Sequence, residues 1–273
     1  MEGAGHMYRT YWGMEFNPFD KEIGEKQFYH GTDYGEMQKR LEYLKNVKGI
    51  GLFTGLPGTG KTVGIRAFVS GLNQNLYKVI YLQMTTITTQ EFYRDLASEL
   101  GLEPCYRKIE NFRNIQERIR MLFKEQKTTL VFIIDEAQYL SRGILADLKM
   151  LMNFEMDSRN YAVMILAGQP TLNNLLSMQI HEALRQRIVI NYNLQGLERE
   201  EIGTYIRDRM KLCGVTKEVF DPSAIEAADG CCGGSIRKLN NLVHRALMIG
   251  CEKKADMIGT SLIMEASAEI DLF

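Results

Sequence analysis

From Lys48 onward the chain alternates short, unbroken apolar runs with longer stretches in which apolar residues recur every three or four positions. The short runs predict strands at 49–54, 79–83, 129–134, 161–167 and 188–192. They show little polar alternation, the pattern of strands covered on both faces. Helical spacing fills the intervals at 61–72, 89–100, 112–124 and 144–154. Alternation of this kind predicts a parallel sheet with helices on both faces. After Leu194 the strand signals stop, and helical spacing alone runs through 198–212, 222–229, 235–251 and 260–270. The shift predicts a boundary near Gly196, and a second unit of roughly 75 residues is small enough to depend on docking to the first.

Composition narrows the class. The 273 residues are 45% hydrophobic and 25% charged, which excludes a disordered chain. Lysines and arginines (33) balance aspartates and glutamates (34), so no global basic field advertises a polyanionic partner. The longest apolar runs, 130–134 and 162–167, fall far short of the ~20 residues a membrane span needs. The N-terminus lacks the basic flank and apolar stretch of a signal peptide, which predicts a soluble, cytoplasmic protein. The opening Met1 to Met7 reads as a vector remnant. Five cysteines without zinc spacing and four scattered histidines supply no metal-ligand set, and the thiols read as reduced.

The strongest chemical signal is Gly55-Leu-Pro-Gly-Thr-Gly60-Lys61-Thr62, set after a predicted strand and at the start of a predicted helix. Its glycines let successive backbone N–H groups and the positive end of the helix face phosphates. Lys61 supplies a charge for the β- and γ-phosphates and Thr62 a hydroxyl for Mg²⁺. Gly55, Pro57, Gly58, Thr59, Gly60, Lys61, Thr62 and Val63 are therefore the predicted nucleotide contacts. Hydrolysis further needs a carboxylate at the end of a neighbouring buried strand and a base beside it. Leu130-Val-Phe-Ile-Ile-Asp135-Glu136 fits, with Asp135 for the magnesium and Glu136 to polarise water.

Asp135-Glu-Ala-Gln138, following that loop, resembles the AAA+ ATPases of the ExeA type and their transposon relatives, the TnsC, IstB and MuB group. The resemblance extends to Phe16-Asn-Pro-Phe19, Leu166-Ala-Gly-Gln-Pro170 and Gly233-Gly-Ser-Ile-Arg237. It implies a P-loop NTPase of the AAA+ class: a three-layer α/β core with a five-stranded parallel sheet, followed by a small all-helical lid. The corresponding division is 1–30 as tag and aromatic linker, 31–195 as core and 196–273 as lid. It also implies ATP as ligand, Gln169 as γ-phosphate sensor with Thr171 as fallback, and Arg237 as a second sensor in the lid. Arg187, or else Arg185, takes the place of an arginine that acts on the next subunit's nucleotide, which implies a homo-oligomer in a ring or filament. For both arginines a solvated basic loop is the plain alternative. The aromatic segment 8–19 is expected to pack on the core near the adenine.

The load is less legible. Between Pro104 and Lys127 basic residues outnumber acidic ones, and Arg107, Lys108 and Arg113, with Thr85 after the second strand, are the candidate contacts to DNA phosphates. No base-reading motif is present, so binding to double-stranded DNA is expected to be largely sequence-nonspecific. The resemblance implies recruitment or regulation of a transposase. The alternative it leaves open is an ExeA-like ATPase assembling a secretion or envelope complex without DNA. ExeA itself continues into a membrane span and a cell-wall-binding region, neither of which follows here, and this favours the transposition reading with no membrane partner.

Overall fold

The computed structural model describes residues 2–20, 28–83, 87–155 and 159–270, with side chains from residue 7. They form two compact units. One comprises Glu36–Gly55 and Lys61–Leu194. The other gathers the described residues of Met1–Gly35 with Leu56–Gly60 and Gln195–Phe273.

The first unit is a five-stranded parallel sheet in the order β2-β3-β4-β1-β5. The strands are β1 (Gly49–Gly55), β2 (Tyr77–Leu82), β3 (Thr129–Ile134), β4 (Ala162–Gly168) and β5 (Ile188–Leu194). Alternate side chains of a strand serve opposite faces. Leu130, Phe132 and Ile134 pack in one cluster with α4 (Thr89–Glu99), α5 (Lys108–Lys124) and α6 (Arg142–Leu151). Val131 and Ile133 pack in another, with α2 (Thr32–Val47) and α3 (Lys61–Ser70). The expected three-layer α/β core with a five-stranded parallel sheet is thus present. The central strands β1, β3 and β4 are buried throughout, but β2 and β5 are edges with half-exposed positions. The expectation of strands covered on both faces therefore holds for the centre and is corrected at the edges.

Local chemistry explains the helix ends. Thr88 and Glu91 form a reciprocal capping box at the start of α4, and Ser141 accepts from the Ile144 N–H at the start of α6. Helix α5 begins a turn earlier than its apolar spacing indicates, because the buried Asn111 closes the preceding turn by bonding both the N–H and the C=O of Cys105. Short helices α7 (Thr171–Ser177) and α8 (Glu182–Arg185) link β4 to β5.

The second unit is helical: α1 (Glu2–Trp12), α9 (Arg199–Leu212), α10 (Pro222–Cys232), α11 (Ile236–Glu252) and α12 (Thr260–Ile270). Asp221 caps α10 with Pro222 in its first turn, and Gly233 closes it in the left-handed region. The N-terminal residues differ from their predicted place. Residues 2–12 form helix α1, and the side chains of Tyr8, Trp12, Phe16 and Phe19 join the core of this helical unit rather than the α/β core. The cause is an i, i+4 aromatic pair: Tyr8 stacks obliquely on His244, and Trp12, 1% exposed, donates from Nε1 to the Leu247 carbonyl at 2.8 Å. No described helix is long and apolar enough to cross a membrane.

Trp12→Ala removes the largest buried ring of this unit and leaves the Leu247 carbonyl without its side-chain donor. A loss of about 3–5 kcal/mol in urea unfolding followed by circular dichroism is expected.

Candidate functional site

Parallel strands end on one edge of the sheet, and in the α/β unit that edge gathers the polar residues. Lys61, the first residue of α3, is 7% exposed, and its Nζ donates to the Gly55 carbonyl at 2.7 Å. An ammonium so buried needs a partner, and the Gly55 carbonyl supplies one. The exposed Thr62 donates from Oγ1 to Oδ2 of Asp135 at 3.1 Å. Asp135 directly follows β3 and is 7% exposed, with its Oδ1 accepting from the Glu136 N–H at 2.9 Å. A hydroxyl and a carboxylate at this separation form a hard-oxygen pair of the type Mg²⁺ takes. Val63 follows in the first turn of α3, half-buried.

Two side chains beyond those predicted complete this edge. Tyr81 of β2 donates to Asp135 Oδ2 at 3.1 Å, and burial followed by the Asp135 charge pushes its phenol above the ordinary range. Gln138 bonds both Glu136 and the backbone of Gln169, which directly follows β4. Glu136 itself is exposed and sits in the left-handed region at φ 52°. Behind the edge, Thr54 is fully buried, donates to Asn193 Oδ1 and accepts from Asn173 Nδ2, joining β1, β5 and α7.

The loop segment Leu56–Gly60 belongs to the helical unit. Gly58 and Gly60 adopt φ of 83° and 101°, which turn the backbone as an anion cradle requires. A Cβ on Gly58 would lie 2.6 Å from both Arg237 Cβ and Ser235 Oγ. Ser235 Oγ donates to the Pro57 carbonyl at 3.1 Å and the Arg237 N–H to the Gly58 carbonyl at 3.3 Å, so the start of α11 is seated on this segment. Thr59, buried, donates to the Leu56 carbonyl. Arg237 is exposed.

The two candidate trans-acting arginines differ. Arg187 is half-buried and donates to the Lys149 carbonyl at 3.1 Å, whereas Arg185 is exposed and donates to the Ser177 carbonyl. The basic stretch is more neutralised than its composition indicates. Lys108 pairs with Asp147, Arg120 with Glu117 and Lys124 with Glu155, while Arg107 and Arg113 are exposed at the start of α5. Thr85 lies outside the described residues.

A family model described as an AAA domain matches residues 45–176. The chain is 28% identical to the general secretion pathway protein A of Aeromonas hydrophila over 97% of its own length and 48% of that protein, so it spans about half of this relative. Among solved structures, Cdc6p from Pyrobaculum aerophilum superposes with a TM-score of 0.67 at 15% identity, covering 92% of this chain and 70% of that one. The Aeropyrum pernix ORC1 protein in complex with DNA superposes with a TM-score of 0.62 at 17% identity, over 89% and 66%. At such identities the structures share the fold.

Just before α8, His181 is 1% exposed, and neither ring nitrogen has a partner among the described residues. Burial, then Arg142, pushes its pKa below the ordinary 6.5. The unfolded chain therefore takes up the proton first, and stability falls as pH drops through that value. A His181→Leu protein is expected to lose less stability than the wild type between pH 7 and 5 in paired urea titrations.

Proposed function

We propose that this chain, whose residues 45–176 match an AAA domain model, is a Mg²⁺-dependent ATPase. It assembles as a ring or helical filament on double-stranded DNA and recruits or regulates a transposase at the target site. The observation that carries the ATPase reading is the placement of the Thr62 hydroxyl 3.1 Å from the Asp135 carboxylate, with Glu136 next to it. Thr62 and Asp135 would hold the metal, and when bound it supplies positive charge to the β- and γ-phosphate oxygens. Lys61 would exchange the Gly55 carbonyl for phosphate oxygens. Glu136 takes the proton of the attacking water. Gln169 hydrogen-bonds the γ-phosphate, and Arg237, on the helix seated against Gly58, adds a positive charge.

Arg187 or Arg185 serves the neighbouring copy through a heterologous interface, which makes assembly depend on nucleotide. The exposed Arg107 and Arg113 and the neighbouring Lys108 support contact with DNA phosphates, and the ORC1 protein of the same fold was solved with DNA. A second reading, an ATPase that assembles a secretion or envelope complex without DNA, is favoured by the identity to general secretion pathway protein A along almost the whole chain.

The deciding experiment uses the Glu136→Gln protein, in which hydrolysis is blocked, with fluorescent random-sequence duplex DNA, ATP, ADP or no nucleotide, and a salt series. Tight, salt-sensitive binding with ATP alone is expected. Absence of binding at low salt, in protein that binds ATP, overturns the DNA reading and favours the second. Arg187→Ala is expected to slow ATP turnover by a factor of about 10³ with nucleotide affinity retained. Undiminished turnover would remove its trans-acting role.

A further inference from the structure

We propose that Gln138 is a positioning residue for hydrolysis, a rigid link that sets the carboxylate of Glu136 according to the position of the backbone after β4. The inference rests on the reading of Glu136 as the residue that activates water.

Gln138 is half-buried in a single 3₁₀ turn, Ala137–Tyr139. Its Oε1 accepts from the Gln169 N–H at 3.0 Å, and its Nε2 donates to Glu136 Oε2 at 2.6 Å. The backbone donor at Gln169 fixes which way the amide faces, since only the oxygen accepts, and so the NH₂ group must face Glu136. A side-chain amide holds one donor and one acceptor in a single plane. Neither a carboxylate nor an ammonium at position 138 makes both bonds. The chain also leaves room for this link: a Cβ on Gly168 would lie 2.5 Å from Gln138 Oε1.

The link matters because of what it joins. Glu136 is exposed, and its left-handed backbone is followed at once by the turn that carries Gln138, so the bond at Oε2 restricts where its carboxylate points. The other end of the link is the main chain of Gln169, the residue directly after Gly168 at the end of the fully buried β4. A shift of the Gln169 backbone toward phosphate therefore pulls on the amide and reorients the carboxylate. Water activation at Glu136 and phosphate contact at Gln169 then move as one element. Misplacement of a reacting group by about an ångström costs up to about a hundredfold in rate.

The test is ATP turnover by the full chain carrying Gln138→Glu or Gln138→Met, beside Glu136→Gln. Gln138→Glu keeps the length and still accepts from the Gln169 N–H, but it sets a second carboxylate against Glu136. Gln138→Met keeps the length and makes neither bond. The expected result is a fall in kcat of at least about tenfold in both, with KM for ATP within about twofold of wild type. If Gln138 served only to anchor the backbone at 168–169, Gln138→Glu would turn over like the wild type and only Gln138→Met would suffer. That outcome overturns the proposal. Thermal unfolding and binding of a fluorescent ATP analogue establish that each variant is folded. Should Gln138→Glu not fold, Gln138→Met is compared in the wild-type and Glu136→Asp backgrounds: a loss of kcat that is much smaller in the Glu136→Asp background supports the link, and an equal loss in both, or wild-type kcat, overturns it. If Glu136→Gln retains turnover, the reading of Glu136 fails. If it is inactive while Gln138→Glu is not, only the present inference fails.

Discussion

The α/β unit depends on burying both faces of β1, β3 and β4 at once. Three adjacent strands without an exposed position leave nowhere for unpaired backbone groups except the strand ends. Because every pairing is parallel, the C-terminal ends of all the strands lie along one edge. Polar chemistry collects there because the rest of the sheet excludes it. Gly55 ends β1, Asp135 and Gln169 directly follow β3 and β4, and Lys61 and Thr62 open the helix after β1.

Behind this edge the polar side chains are organised in pairs rather than left to water. Thr54 has an acceptor on β5 and a donor on α7, and Asp135 takes hydrogen bonds from Thr62 and Tyr81 at the same oxygen. Each bond is individually modest, but a buried group stripped of its partner costs about 1–3 kcal/mol, so such groups tend to be kept or lost together. The helical unit uses the same economy at the start of α11, where Ser235 caps the helix with its hydroxyl oxygen and donates its hydrogen to Pro57.

Much of this was legible along the chain. The apolar run at 129–134 and the helical spacing at 260–270 coincide with β3 and α12. The glycine-rich segment 55–62 runs from the end of β1 into α3, as its motif requires. The misses have identifiable causes. Helix α2 buries Met37, Leu41 and Leu44 at helical spacing, but its other positions are largely polar and the spacing is short. Helix α5 starts on Arg107, which offers no side-chain cap, so its first turn left no mark. The contacts of Tyr81 and of Gln138 are illegible in the sequence for a different reason. Their roles depend on β2 lying beside β3 and on the turn after β3 meeting the end of β4, and a linear chain does not state strand order. The neutralising partner of Lys108, Asp147, is likewise distant in sequence.

With Glu136 in its proposed role, its left-handed backbone sets folding and chemistry against each other at one residue. An L-residue held there costs about 1–2 kcal/mol that a glycine would not. Selection for a sturdier protein alone would therefore drift toward glycine or asparagine at this position and remove the carboxylate as it did so. A glutamate retained in that conformation is a standing concession of stability, and libraries screened only for heat resistance will tend to erase it.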